Sequence, residues 1–439
     1  MTDRLTSIRA ALASGPMPAE ALRAGLDVSR PTLARALAAM ASEIVTLGAA
    51  RATRYALRDN FRGIADIAVF SVNASGKIET LGRLCPVRPD GFVMVGVDGT
   101  TVHYEGLPWW LIDMRPQGFL GRAYAHQHAN GLGLPPDVRH WSDTDALRAL
   151  LSNGVDAVGN LLLGDLARDR FVHAPTPSAF CKHDYPRLAA EALSIGNTWS
   201  SAGGEQPKFC AYTTGGHVLV KFSASEDNAI SARWRDLLLA EHIALEVLAT
   251  GGVSAAKSSV LDIGGQRFLE LERFDRLGAQ GRCALLSLAA LDGEFVGNAT
   301  SPWPVVTSAL ARLKVISADA HAGASFLYAF GTLIGNTDMH AGNLSFVGDS
   351  GPPYALSPAY DMLPMGFSPT TGGTMKNALP VAHIHASIDG ATWRAAQNLA
   401  TKYLARLTDD DRWSEAFQPC IHSLQEHLKV ASQRIAKLG

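Results

Sequence analysis

Apolar positions at the start of the chain recur first at helical spacing and then in short alternating runs. Leu5, Ile8 and Leu12 share one helical face, which Gly15 and Pro16 terminate, and residues 18–24 form a second short helix closed by Gly25. Ser29 is placed to cap a third helix beginning at Pro31, with Leu33, Leu37 and Met40 on its buried face. Two strand-like runs, 44–48 and 53–57, flank Ala49, Ala50 and Arg51 and predict a hairpin. Helix, helix, turn, helix and hairpin is the order of a winged helix-turn-helix over residues 1–58. In that arrangement Ser29, Arg30, Thr32 and Arg35 face outward at the start of the recognition helix, and Arg51 and Arg54 lie in the wing, against the nucleic-acid backbone. The competing reading is a small helical domain used for dimerisation.

From about residue 60 to 170 the pattern changes to short strands punctuated by Gly and Asn, at 65–72, 78–84, 91–97 and 101–104, followed by helical stretches at 143–151 and 155–163. Trp109, Trp110 and Phe119 read as anchors of a domain interface, and the proline-containing stretch 168–177 as a linker. A third region, 178–435, opens with two strands, 209–212 and 217–222, joined by a Thr-Thr-Gly-Gly turn. It continues with a leucine-rich helix over 233–249, a strand from Arg267, and an apolar helix over 324–334.

A chain of 439 residues is too long for one ordinary core, so two or three domains are expected. Hydrophobic residues make up 47% and charged residues 18%, the composition of a packed globular protein. The formal charge of −2 excludes a uniformly basic nucleic-acid coat but leaves room for a local basic face. Five scattered cysteines without a Cys-x-x-Cys pair point to reduced thiols and a cytoplasmic protein. No apolar run approaches the roughly 18 residues of a membrane helix, so no membrane partner is expected.

The candidate chemistry lies in the third region. Asp338 and Asn343 stand five positions apart, the Asp-x-x-x-x-Asn spacing of a kinase catalytic loop, and a further acid, Asp361, follows. One carboxylate orients a hydroxyl, an amide oxygen holds a metal, and a second carboxylate completes the metal's shell against phosphates. Upstream, Gly203, Gly204, Glu205, Gln206, Pro207 and Lys208 precede a strand, where small residues let backbone N–H groups approach phosphate; a plain hairpin turn is the alternative. Lys221 sits in an apolar strand and needs a partner or a ligand; Glu241, twenty residues on in the following helix, would pair with it as in kinases, the alternative being a lysine that reaches solvent at a sheet edge. Glu272, Arg273 and Phe274 fall where backbone groups meet an adenine ring between kinase lobes, although Glu272 and Arg273 read equally as a surface salt bridge. His340 reads as an organiser of the loop by hydrogen bonding, or as a metal ligand; it and Tyr360 are counted with the residues around the nucleotide.

The segments Ser-Ala-Gly-Gly-Glu-Gln-Pro-Lys, Leu-Val-Lys-Phe, Leu-Glu-Arg-Phe-Asp-Arg, Gly-Asn-Thr-Asp-Met-His-Ala-Gly-Asn and Ala-Tyr-Asp-Met-Leu-Pro occur in the order found in HipA-type serine/threonine kinases, the toxins of bacterial toxin–antitoxin modules. The resemblance covers roughly 60–435, and the added N-terminal segment resembles the longer, YjjJ-like members. It implies an α+β, kinase-like two-lobed fold behind a small winged helix-turn-helix, divided as 1–58, a β-rich subdomain at 60–170, and a kinase core with helical lobe at 178–435. It implies ATP and Mg²⁺ as cofactors, Asp338 as proton acceptor, Asn343 and Asp361 as magnesium ligands, and Lys221 as the ATP lysine. Residues 203–208 resemble the phosphate loop and 272–274 the adenine hinge. Ser201, with Ser200 beside it, matches the serine whose autophosphorylation switches the family off. Implied partners are a protein substrate such as an aminoacyl-tRNA synthetase, a HipB-like antitoxin, duplex DNA through residues 1–58, and a second copy of the chain. One departure stands out: the family usually carries Lys immediately before the metal-binding Asn, and here Gly342 stands there.

Two other functions compete. One is a DNA-binding regulator whose kinase-like body senses nucleotide without catalysis; the other is a metal-dependent hydrolase using Asp338, His340 and Asp361, which leaves Lys221 and the Gly-rich stretch unexplained.

Overall fold

The computed structural model describes residues 2–194, 206–370 and 372–438. The chain divides into two compact units: Met1–Arg115 with Leu132–Pro135 and Arg139–Ala174, and Pro116–Gly131 with Pro136–Val138 and Pro175–Gly439.

The first unit begins with α1 (Thr2–Leu12), a two-residue strand β1 (Met17–Pro18), α2 (Ala19–Gly25) and α3 (Arg30–Ala39). Ser29 caps α3, its side chain accepting from the Thr32 N–H, a contact typically worth about 1 kcal/mol. Strands β2 (Ile44–Leu47) and β3 (Arg54–Leu57) pair antiparallel, and β1 adds to the free side of β3. Ile8, Leu12, Leu22, Leu33, Leu37, Met40 and Ile44 form the core beneath the three helices. The helices and wing expected from the periodicity are present in that order.

The hairpin has a second buried face. Val45, Leu47 and Ala56 pack with Cys85, Val87 and Val93 of the next sheet. That sheet holds β4 (Ile67–Val72), β5 (Ile78–Val87), β6 (Gly91–Gly96), β7 (Thr101–Tyr104) and, later in the chain, β8 (Leu161–Leu163), in the order β7-β6-β5-β4-β8, antiparallel throughout. The Gly48 N–H donates to Thr101 Oγ1 at 2.8 Å, the Arg88 N–H to the Leu57 carbonyl and the Asp59 N–H to the Pro86 carbonyl. After β7 the chain forms α4 (Gly118–Leu132), then α5 (Asp143–Asn153), β8 and α6 (Gly164–Val172). Residues 155–163 were expected to be helical. They form a short turn and β8 instead, because Leu161 to Leu163 pair with Val69 to Ser71 and bury their side chains in the sheet. The expected linker at 168–177 is helical through Val172. Trp110 packs on the core of this sheet and its indole N–H donates to the Tyr104 hydroxyl at 3.1 Å.

In the second unit, α7 (Tyr185–Ser194) lies on one face of a four-stranded antiparallel sheet of β9 (Lys208–Thr213), β10 (Gly216–Phe222), β11 (Ser258–Ile263) and β12 (Gln266–Glu272), in the order β11-β12-β10-β9. Phe119, Tyr185, Phe209, Val220, Phe222 and Phe268 make its core. Between β10 and β11 runs α8 (Ala229–Thr250), capped by Asn228. Two short hairpin strands, β13 (Arg276–Leu277) and β14 (Gly281–Arg282), lead into β15 (Leu285–Ser287), α9 (Leu288–Phe295), α10 (Trp303–Arg312) and α11 (Ala318–Leu333). Strands β16 (Ser345–Val347) and β17 (Ala355–Leu356) complete a small sheet with β15, and α12 (Gly390–Asp409) and α13 (Gln418–Ile435) close the chain. Among the described residues no helix is long and apolar enough to cross a membrane.

Candidate active site

The alternation of β10 decides where Lys221 goes. Val218, Val220 and Phe222 face the α7 side and fill the aromatic core, so Lys221 projects to the opposite face. There its Nζ lies 2.7 and 2.8 Å from the two carboxylate oxygens of Glu241, a residue of α8 with no solvent exposure, and it also contacts the Asp361 carboxylate. Lys208 stands directly across from Lys221 in the β9–β10 register, on the same face. Burial alone would lower the Lys221 ammonium's affinity for its proton, but Asp361 and Glu241 outweigh it and raise the pKa. Burial pushes the Glu241 carboxyl up, against the pull of Lys221. For Asp361 burial works in the same sense, yet the cations Lys221 and Lys208 hold its carboxyl below the usual range. Two lysines on one face, turned toward one deprotonated carboxylate, form a site prepared for an anion with its counter-cation.

Asp338 and Asn343 are delivered by α11, a buried helix capped at Ser317. Beyond it Asn336 is 4% exposed, and the loop is tied by its own side chains. The Asp338 N–H donates to Asn336 Oδ1 at 3.0 Å, and Asn343 Nδ2 donates to the Asp338 carbonyl at 2.9 Å. His340 Nδ1 accepts from the Gly342 N–H at 3.0 Å, so the imidazole organises the turn. A Cβ at position 342 would lie 3.0 Å from that ring, so the glycine is what allows the histidine to fold back. The indole of Trp303 donates to the His340 carbonyl at 3.1 Å and anchors the loop from α10. The Asp338 side chain remains exposed.

Asp361 is held from two sides. The Ala359 N–H donates to the Ser254 carbonyl and the Ala256 N–H to the Ala359 carbonyl, fixing the approach to Asp361 against the segment that follows α8. Asn336 Nδ2 donates to the Asp361 carbonyl at 3.1 Å. Asp361 itself adopts φ of 53°, a left-handed conformation that non-glycine residues seldom take and that concentrates at functional sites. The Tyr360 hydroxyl donates to the Gly342 carbonyl at 3.0 Å and meets Ser345 Oγ at 2.6 Å, so the two loops are joined a second time. Trp303 did not stand out in the sequence, and Asn336, although inside the motif around Asp338, was given no role there. The position of Asn336, next to a glycine that ends an apolar helix, is the only local signal of one.

At the strand connection, the Glu272 N–H donates to the Lys257 carbonyl and the Arg273 N–H to the His217 carbonyl. Their side chains are engaged as well: Glu272 with Lys257 at 3.1 Å, and Arg273 with Asp275 through two bonds. The Phe274 amide has no backbone acceptor among the described residues. The Phe274 ring lies 5.9 Å from that of Tyr360. Gln206 donates to the Phe222 carbonyl, and the Pro207 carbonyl accepts from the Phe222 N–H. Ser200, Ser201, Gly203, Gly204 and Glu205 lie outside the described residues.

A cavity of about 480 Å³ opens beside Asp338, lined also by Asn336, His340, Pro380, His383 and His427. It brings the exposed carboxylate to a space large enough for a polypeptide side chain.

On the first unit Arg30, Arg35 and Arg54 are exposed and Thr32 is half-buried, its Oγ1 2.9 Å from Ser29 Oγ; Arg51 falls in the turn Ala50–Ala52. Arg9 and Arg23, by contrast, are paired with Glu43 and Glu20.

Residues 64–172 match the family model for the middle domain of YjjJ-like toxins, and residues 200–428 match that for the HipA-like C-terminal domain. The chain is 39% identical to Toxin YjjJ of Escherichia coli (strain K12) over 438 residues, covering 98% of each. Its structure is similar to HipA in the Shewanella oneidensis MR-1 complex of HipA, HipB and operator DNA, with a TM-score of 0.54 and 14% identity, covering 84% of this chain and 99% of that one.

Proposed function

The chain belongs to the YjjJ-like toxins of the HipA family and has their kinase-like fold, and from that premise we propose that it is an ATP- and Mg²⁺-dependent protein serine/threonine kinase. The observation that carries the proposal is the buried Lys221 ammonium held between Glu241 and Asp361, with Lys208 across the strand pair. A structural ion pair needs one acid and one base; here a second acid on a separate loop and a second base on the next strand converge on the same point.

The donor set fits the implied ligands. Because Asn343 commits its Nδ2 to the Asp338 carbonyl, its amide oxygen is the atom left for a cation. One carboxylate (Asp361) and one amide oxygen is the small protein share with which magnesium is held alongside nucleotide phosphates. Bound Mg·ATP supplies the transferable phosphoryl group and a cation to neutralise its developing charge. Lys221 and Lys208 would hold phosphate oxygens, and Glu241 keeps Lys221 oriented. Asp338 orients the acceptor hydroxyl and takes up its proton at a carboxylate oxygen. The Phe274 amide is the backbone donor proposed to read an adenine edge, since the Glu272 and Arg273 amides are committed to the Lys257 and His217 carbonyls. Phosphorylation of Ser201, the serine matched by the family resemblance, would add about −1.5 to −2 charges that compete with ATP's phosphates, and so switch the enzyme off.

The HipA structure in question is a complex with HipB and operator DNA. By extension, the exposed arginines of the first unit are proposed to contact duplex DNA, with a HipB-like antitoxin as a further partner. The deciding experiment is incubation with γ-labelled ATP and Mg²⁺, followed by peptide mapping. Label on serine or threonine that disappears in Asp338→Ala supports the reading. Nucleotide binding without any transfer would favour a nucleotide-sensing regulator.

A further inference from the structure

Helix α8 carries Glu241 and is fastened along its length, about 33 Å, to the C-terminal part of the same unit. Near its start the Arg233 side chain is 2% exposed and has no carboxylate partner within bonding distance. Its guanidinium donates to the carbonyls of Phe367 and Lys376 at 2.8 and 2.9 Å, to Asn377 Oδ1 at 2.8 Å and to the Ala416 carbonyl at 3.4 Å, and stacks over the Phe417 ring at 5.5 Å. One turn on, Asp236 accepts from the Ser414 N–H and hydroxyl at 3.0 and 2.6 Å. Further along, the Tyr403 hydroxyl donates to the Ala240 carbonyl, Arg406 pairs with Glu246, and Gly251 admits Leu399 so closely that a Cβ would meet it at 2.6 Å.

The partners of Arg233 are what single it out. Phe367 follows Asp361 by six residues, and Glu241 lies eight residues beyond Arg233 on α8. One buried cation therefore joins the helix that bears Glu241 to the chain that bears Asp361, the two carboxylates that grip Lys221. We infer that Arg233 is the positioning residue of this site: its fork of donors holds the segments of Glu241 and Asp361 so that both carboxylates stay within bonding distance of Lys221, and the lysine is gripped without any helix movement. Only a planar guanidinium reaches four carbonyl-type acceptors in different directions, and a lysine ammonium does not reproduce that geometry. The inference rests on the kinase reading for its consequence, but the geometry it concerns is read without nucleotide.

The test uses the full chain. Amine-reactive labelling, with the modified lysines mapped by peptide mass, reports whether the Lys221 grip is closed. In the wild type Lys221 should be protected; in Arg233→Lys and Arg233→Met it should label about tenfold faster, as local opening requires, while Arg406→Ala, which cuts the exposed pair between α12 and Glu246 of α8, should leave it protected. Where Arg233→Met fails to fold, Asn377→Leu removes one acceptor more gently and should give a smaller increase. In transfer assays the Arg233→Lys loss should appear in kcat and in KM for ATP and spare KM for the protein acceptor. Unchanged Lys221 labelling in a folded Arg233→Met, with only a lower Tm, would overturn the inference. A wild type that transfers no phosphate would sink the kinase reading and still leave the labelling to judge Arg233.

Discussion

Asn336 binds Asp361 and, through the other end of the same amide, the loop of Asp338: it donates to the Asp361 carbonyl at 3.1 Å and accepts from the Asp338 N–H at 3.0 Å. The two acids of the site are thus spaced by one buried side chain. Asn336→Ala should cost about 1–3 kcal/mol, because it strands a buried donor and acceptor, and it should lower kcat. Asn336→Asp keeps the acceptor but loses the donor, and is expected to fall between. Denaturant unfolding and single-turnover transfer on the same preparations check both.

Asp338→Ala should reduce phosphoryl transfer by about 10²–10⁴-fold and leave nucleotide affinity close to wild type, since the carboxylate is exposed and contributes no bond to Lys221. Turnover near the wild-type rate in that variant would remove Asp338 from the mechanism.

The pH dependence follows from Asp361. Its folded pKa is depressed, so its contribution is present above the unfolded value of about 3.9 and is lost as pH falls through the lower folded value. Glu241 acts in the opposite sense, because burial raises its pKa and the charged form is the costly one. The two are separated by comparing Tm against pH for wild type and Asp361→Asn. The difference should shrink on acidification. In Lys221→Met, which leaves two acids uncompensated, stability should fall by about 3–5 kcal/mol, and acid should relieve part of that loss.

Gly342 stands where the resemblance to HipA-type kinases leads one to expect lysine. Lysine at this position should not raise activity, because its Cβ would lie 3.0 Å from the His340 ring and push aside the imidazole that shapes the turn. Gly342→Lys is expected to lose activity, with stability lower by about 1–3 kcal/mol. Combining it with His340→Ala should recover part of the rate. A simple gain of kcat in Gly342→Lys alone would show that the missing cation, not the turn, limits transfer.

For DNA, Arg54→Ala should weaken binding of the full chain to any duplex and reduce the salt slope by about 0.9 per lost phosphate contact. Arg30→Ala or Thr32→Ala should change sequence preference. Gel shifts across a salt series distinguish these outcomes, and binding that ignores salt would assign the surface to a protein partner.

How much of this was legible beforehand varied with range. The strand of Lys221, the helix of Glu241 and the Asp338–Asn343 loop each carry their signal within a dozen residues, through alternation, leucine spacing or a short motif. The stretch 155–163 misled because three leucines in a row suit a helix and a buried strand equally, and only pairing with β4 decides between them. Helix α4 gave no clear signal, its face being interrupted by Gly121, Tyr124, His126 and His128. Arg233 gave no local signal at all: its acceptors lie 134 to 183 residues away.

The wing hairpin rests on the sheet below it, with Val45, Leu47 and Ala56 on one side of the seam and Cys85, Val87 and Val93 on the other. A cut after residue 58 would therefore not release two soluble modules. It would bare two matching greasy surfaces, and would take the Leu57 carbonyl from the Arg88 amide and the Thr101 hydroxyl from the Gly48 amide. Fragments made this way should clump or reassociate, and a protease acting in the cell would disarm the N-terminal helices and the sheet together.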